Sequence, residues 1–178
     1  MKKLAIHTFF LFALSGAYAS LPDSTEIQKA KALALKVDAS INRYDIKKAV
    51  LFKKEIEPEL KSFHNLTTSL VDAVYDENEL LKLTVQSEGD MEVLISEYYF
   101  LNGTLYLVTK ELNVYDKPLM ENGTLLRRKR FLYYLKEGQL QACLYNDNIL
   151  INYSETEVNV KGQELVQESE EYTHSVSP

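Results

Sequence analysis

Cysteine occurs once in this chain of 178 residues, at Cys143, tryptophan not at all, glycine six times and histidine three times. A single cysteine excludes an internal disulfide, so the fold must rest on its apolar core. Cys143 itself reads as a small, half-buried strand residue. Scarce glycine excludes a glycine-rich phosphate loop, and His7, His64 and His174 stand too far apart for a helical pair of metal ligands. No H-E-x-x-H or G-x-S-x-G occurs either. No catalytic residue, cofactor or metal is therefore assigned. The acidic runs Asp76-Glu77-Asn78-Glu79 and Asn146-Asp147-Asn148 lack the spacing of a calcium loop and read as turns.

Long apolar runs are also missing, except at the start. Met1-Lys2-Lys3 supplies positive charge, Leu4 to Ala13 an apolar stretch, and Ala17-Tyr18-Ala19 the small residues that a signal peptidase reads. The stretch is too short to span a bilayer, which needs about 20 apolar residues. Residues 1–19 are thus expected to be a signal peptide cleaved before Ser20. Leu14-Ser15-Gly16 opens like a lipoprotein signal, but Ala17 stands where that signal requires cysteine. The expected product is periplasmic or secreted, with no lipid anchor and no stable membrane insertion.

Without Lys2 and Lys3 the working chain has 18 basic against 26 acidic residues, a formal charge of −8. Such a balance argues against nucleic acid, whose phosphates need neutralising cations. The exception, Arg127-Arg128-Lys129-Arg130, lies among strand-forming neighbours, so its side chains should alternate between faces and meet nearby acids. Four N-x-S/T sequons occur at Asn65, Asn102, Asn122 and Asn152. Two of them precede glycine, where turn geometry explains the asparagine equally well.

In the expected mature chain, Asp23-Ser24-Thr25-Glu26 forms a capping box. Ile27, Ala30, Ala34, Val37 and Ile41 then follow at helical spacing. Residues 42–68 carry mixed signals, interrupted by Pro58. From Leu70 onward a pattern repeats three times. Tyr75 to Leu83, Tyr99 to Leu107 and Tyr134 to Ala142 share the form Y-x-x-[NE]-[GE]-x-L-x-[LA]. Each reads as strand, tight turn, strand, and Asn102-Gly103 is the strongest of the turn signals. The expectation is an α+β fold in which an N-terminal helix packs on a meandering antiparallel sheet of about six to eight strands. Residues 20–160 would form the domain, with hairpins near 74–85, 98–109 and 133–144. Residues 161–178 would be an acidic C-terminal helix or a loose tail.

Glu97-Tyr98-Tyr99-Phe100-Leu101-Asn102-Gly103-Thr104-Leu105-Tyr106 resembles the "YYFxNGxL" hairpins of small exported proteins of Gram-negative, Bacteroidetes-type bacteria. It is distantly similar to variant MORN-type hairpin repeats as well. The resemblance spans about residues 70–145 and implies location and architecture, with no active site.

If each hairpin turns through two residues, opposed residues share a face. Tyr98, Phe100, Leu105 and Leu107 then lie on one face with Val74, Leu81, Leu83, Tyr133, Leu135, Leu140 and Ala142. That apolar face is expected to bury against the N-terminal helix. The other face would carry Tyr75, Tyr99, Tyr106 and Tyr134 beside Lys82 and Gln141, forming a half-open surface. These tyrosines are the candidate binding face, and Asn102 and Gly103 the candidate hairpin tip. The expected function is a non-enzymatic exported domain that binds a small ligand or an envelope protein through its sheet face. Two alternatives stay open: a hydrolase inhibitor acting through a hairpin tip, and a hydrolase using a pair of carboxylates.

Overall fold

The computed structural model describes residues 24–51 and 68–176. The expected signal peptide, Asp23 of the expected capping box, His64 and most of the ambiguous stretch before residue 68 lie outside the described residues. Helix α1 spans Ser24–Ala39 and is followed by a short 3₁₀ turn at Ile41–Arg43. Strands follow in chain order: β1 Asp45–Leu51, β2 Thr68–Asp76, β3 Glu79–Glu88, β4 Glu92–Leu101, β5 Thr104–Tyr115, β6 Leu125–Lys136, β7 Gln139–Tyr145 and β8 Ile149–Leu150. They form one antiparallel sheet in which every strand pairs with its sequence neighbours. Helix α2, Glu155–Val176, closes the chain. The α+β meander expected from the hairpin repeats is therefore the observed fold, with eight strands.

The hairpins contain a feature that simple alternation misses. Leu101 pairs with Thr104 and Phe100 with Leu105, but Tyr99 then pairs with Leu107, leaving Tyr106 as an extra residue. The same bulge recurs at Leu81 in the β2–β3 hairpin and at Gln141 in the β6–β7 hairpin. One extra residue reverses the face of everything beyond it. Leu107 and Ala142, expected on the apolar face, accordingly lie on the tyrosine face. The first repeat is also displaced by one position. Its turn is Glu77-Asn78, since Asp76 pairs with Glu79, so Tyr75 occupies the place of Phe100 rather than that of Tyr99. Tyr75 therefore joins the opposite face from Tyr99 and Tyr134.

At the middle tip Asn102 and Gly103 have φ of 51° and 73°, the left-handed pair that a type I′ turn requires. A Cβ on Gly103 would meet nothing within 4 Å, so any cost of Gly103→Ala is conformational rather than steric. We expect that substitution to lower the unfolding free energy by about 1 kcal/mol, read from urea denaturation. A loss of several kcal/mol would contradict the open surroundings of the tip.

Both faces of the sheet are covered, which gives three layers: helix, sheet, helix. Helix α1 buries Ile27, Ala30 and Ala34, the stripe foreseen from its spacing, against Tyr99, Leu107, Leu132 and Tyr134. The apolar face carrying Tyr98, Phe100, Leu135 and Leu140 instead receives Leu165, Tyr172 and Val176 of α2. This corrects the expectation that the N-terminal helix covers the apolar face. Of the two forms expected for residues 161–178, a helix or a loose tail, the helix is observed as far as Val176; it begins earlier, at Glu155, and supplies part of the main core. Ser154 and Glu157 form a reciprocal cap at its start: the Ser154 N–H donates to Glu157 Oε2 at 2.7 Å, and the Glu157 N–H to Ser154 Oγ at 3.3 Å. Gly162 lets the helix approach closely, since a Cβ there would sit 3.2 Å from the Leu140 amide nitrogen.

The basic run behaves as a strand should. Arg128 reaches Glu111 at 3.4 Å and Arg130 reaches Asp147 at 3.2 Å. Cys143 is fully buried in the core on the α2 side.

Candidate functional site

The four candidate tyrosines do not share one open surface. Tyr99 retains only 2% of its exposure and Tyr134 9%, both beneath α1. Tyr106, the bulged residue, is half-buried and packs against the same cluster. Its ring lies 6.4 Å from that of Tyr99. Tyr75 lies on the other side of the sheet, with the Lys47 ammonium 4.7 Å above its ring.

Each tyrosine nevertheless borders a cleft. Tyr75, Asn102 and Gly103 line a wide groove of about 1050 Å³ between the hairpin tips and the C-terminal half of α2. Asp76, Glu77, Glu79 and Glu170 also face it, and Glu79 Oε1 accepts the Asn102 N–H at 2.8 Å. Tyr106 and Tyr134 line a cleft of about 300 Å³ along α1, beside Leu33, Leu101 and Lys136. Tyr99 lines a cavity of about 340 Å³ between α1 and the sheet, near β4, β5 and β6. The tip groove is larger, but its acids sit on exposed positions around the β2–β3 turn and on α2, where water and salt screen them. The cavity under α1 is where charge meets burial.

Lys82, exposed by only 5%, projects from β3 toward the end of α1. Its ammonium donates to Asp38 Oδ1 at 2.6 Å and to Glu97 Oε1 at 2.7 Å. The Tyr99 hydroxyl donates to Asp38 Oδ2 at 3.0 Å, and the Thr109 hydroxyl to Glu97 Oε2 at 3.0 Å. Lys82 also stands 4.9 Å over the Tyr99 ring. Every carboxylate oxygen in this network thus has a donor, which is what a charge removed from water requires.

Burial pushes the Glu97 carboxyl up, but the Lys82 hydrogen bond and charge, with the Thr109 bond, outweigh it and hold the group below its ordinary value. Tyr99 is driven far above the usual phenol range, first by burial and then by the charges of Glu97 and Asp38. Burial, with the Asp38 charge, pushes Tyr106 up to about 12. Burial also raises Tyr75, and raises Tyr134 together with the Glu26 charge. These phenols therefore stay protonated at neutral pH, and Tyr99 acts as a hydrogen-bond donor to Asp38. A glycosidase-like pair needs one carboxyl kept protonated near neutrality. In the network Lys82 bridges both carboxylates and Glu97 is displaced in the opposite direction.

The cavity's far side is cationic. Lys31 and Arg130 line it with Asp147, whose Oδ2 accepts from Arg130 at 3.2 Å and whose backbone carbonyl accepts from Lys31 at 3.4 Å. Leu35, Leu107 and Leu132 form apolar wall between the two ends.

Sequence reasoning singled out Tyr99 here but not Asp38, Lys82, Glu97 or Thr109. Faint signals exist for the charged three. Lys82 interrupts Leu81 and Leu83, Glu97 precedes three aromatic residues, and Asp38 occupies the last turn of a helix, where the macrodipole disfavours an anion. Their convergence needed the bulges and the placement of α1. Among the described residues, no group of three or more His, Cys, Asp or Glu side chains is placed to hold a metal ion. No helix among them is long and apolar enough to cross a membrane. No known protein family, curated protein or solved structure matches the chain.

Proposed function

We propose that this chain is an exported, non-enzymatic binding domain that takes a small ligand in the cavity between α1 and the tyrosine-bearing face of its sheet. The leader-like first 19 residues support export, to the periplasm or beyond. One observation carries the binding reading. Charged side chains of both signs surround a cavity of about 340 Å³ with apolar walls, and its carboxylate end is held in place by partly buried hydrogen bonds. Pre-placed polar groups in an apolar concavity are the usual form of a small-molecule site. The network gives Glu97 a lowered rather than a raised carboxyl, which favours recognition over acid–base hydrolysis.

The wide acidic groove favours a second reading, in which a cationic segment of an envelope protein docks beside the Asn102-Gly103 tip. There the hairpin tip would act as one wall of the interface.

The two readings separate in one experiment. Protein purified from the periplasm of a Gram-negative host is weighed under native and then denaturing conditions, and amide shifts are followed as released small molecules are added back. Ligand binding in the cavity predicts an adduct lost on denaturation and shifts centred on residues 31–38, 97–109 and 130–132. Shifts confined to residues 76–80, 102–103 and 169–174 would overturn it in favour of the groove. Failure of any molecule in a broad metabolite library to move the first set would also overturn it.

A further inference from the structure

We infer that the cavity beneath α1 is built for a zwitterion, specifically a short peptide with free termini. This rests on the binding reading above and names the class of ligand. Asp38, Glu97 and Lys82 at one end sum to one excess negative charge, and Lys31, Arg130 and Asp147 at the other to one excess positive charge. The two ends are therefore opposite poles of equal size.

Helix and sheet place these poles at similar separations. Lys31 and Asp38 are seven residues apart on α1, about 10 Å along the axis at 1.5 Å per residue. Glu97 on β4 pairs with Thr109 of β5, whereas Arg130 on β6 pairs with Glu111, two residues further along the same strand. Two strand spacings of about 4.8 Å and a two-residue offset of about 6.7 Å combine to about 12 Å. An extended dipeptide covers about 7 Å. A charge-assisted hydrogen bond of about 2.8 Å at either end then brings its termini to both poles. Its ammonium would face Asp38 and Glu97, and its carboxylate Lys31 and Arg130. Both cations have donor capacity to offer. Among the described residues, Lys31 makes a 3.4 Å bond to a backbone carbonyl, and Arg130 a 3.2 Å contact to Asp147 on a guanidinium with five N–H groups. Leu107 and Leu132 along the wall suit apolar side chains. A free amino acid is too short to touch both poles.

Isothermal titration with the dipeptide Ala-Leu tests this without any variant. Ala-Leu should bind. N-acetyl-Ala-Leu, which lacks the ammonium, and Ala-Leu amide, which lacks the carboxylate, should each bind at least tenfold more weakly. The double substitution Lys31→Gln, Arg130→Gln should weaken Ala-Leu at least tenfold, yet leave the affinity of the amide unchanged. Equal binding of free and blocked forms, or no binding of Ala-Leu, would overturn the zwitterion. If Ala-Leu fails while a molecule of another class shifts the cavity amides, the ligand class falls and the binding reading stands. If nothing shifts them, both fall.

Discussion

Leu165→Ala is expected to lower the unfolding free energy by about 2–5 kcal/mol, the range for deleting a well-packed leucine whose surroundings cannot collapse. Leu165 is completely buried and belongs to the main core, where α2 meets the apolar side of the sheet. The buried sheet residues of that core lie on β2 to β7, each paired on both sides, so they have little freedom to fill the space. For a domain of this size that is about 5–15 °C in the thermal midpoint. A chain ended after Asn152 should go further, since it leaves Tyr98, Phe100, Leu135 and Leu140 facing water. It should lose its cooperative transition and bind hydrophobic dye. Were the shortened chain to melt cooperatively near the wild-type midpoint, the C-terminal helix would be an appendage rather than a layer of the core.

Lys82→Gln tests the other side of the sheet. Removing the ammonium leaves Asp38 and Glu97 facing each other across a site that water reaches only in part. Fully buried pairs broken in this way cost 3–5 kcal/mol. The Asp38 side chain keeps 37% of its exposure, so solvent screening reduces the expected loss to about 1–3 kcal/mol at pH 7. The pH dependence identifies the cause. Glu97 titrates below its ordinary value in the folded protein, so the folded state binds fewer protons than the unfolded one around that value. The stability this contributes is present above the unfolded value of about 4.5 and disappears as pH falls through the lower folded value. In the variant the largest cause of the lowering is gone, and burial, which favours the protonated carboxyl, is opposed only by the weaker hydrogen bonds. The gap between wild type and variant should therefore be widest near neutrality and narrow as pH falls below about 4.5. A gap independent of pH would mean that Lys82 matters for packing alone.

Local pattern was enough for the elements of this fold. The 3–4 spacing of Ile27, Ala30 and Ala34 marked the buried stripe of α1, because helix geometry repeats every 3.6 residues whatever surrounds it. Asn102-Gly103 and Glu137-Gly138 marked their hairpins, because glycine adopts positive φ without steric cost and asparagine tolerates it better than most side chains. Helix α2 was under-read for a reason visible in its buried face. That face runs Val158, Gly162, Leu165, Ser169, Tyr172, Val176, in heptad order, but two of the six are small or polar. A tally of apolar residues misses a helix that uses glycine for close approach to a strand.

What the chain determined by itself was therefore the meander, with its turns and periodicities, each set by interactions a few residues long. Which helix covers which face was decided only by the tertiary structure. The bulges at Leu81, Tyr106 and Gln141 each add one residue, and a period of two turns that single step into a change of side. Leu107 and Ala142 thereby lie beneath α1 with Tyr99 and Tyr134, while the one-position shift of the first turn puts Tyr75 on the side of α2. The charged cavity follows from the same cause. Asp38, Lys82, Glu97 and Arg130 are spread over more than ninety residues of sequence, and only the stacking of a helix on a bulged sheet brings their charges around one space.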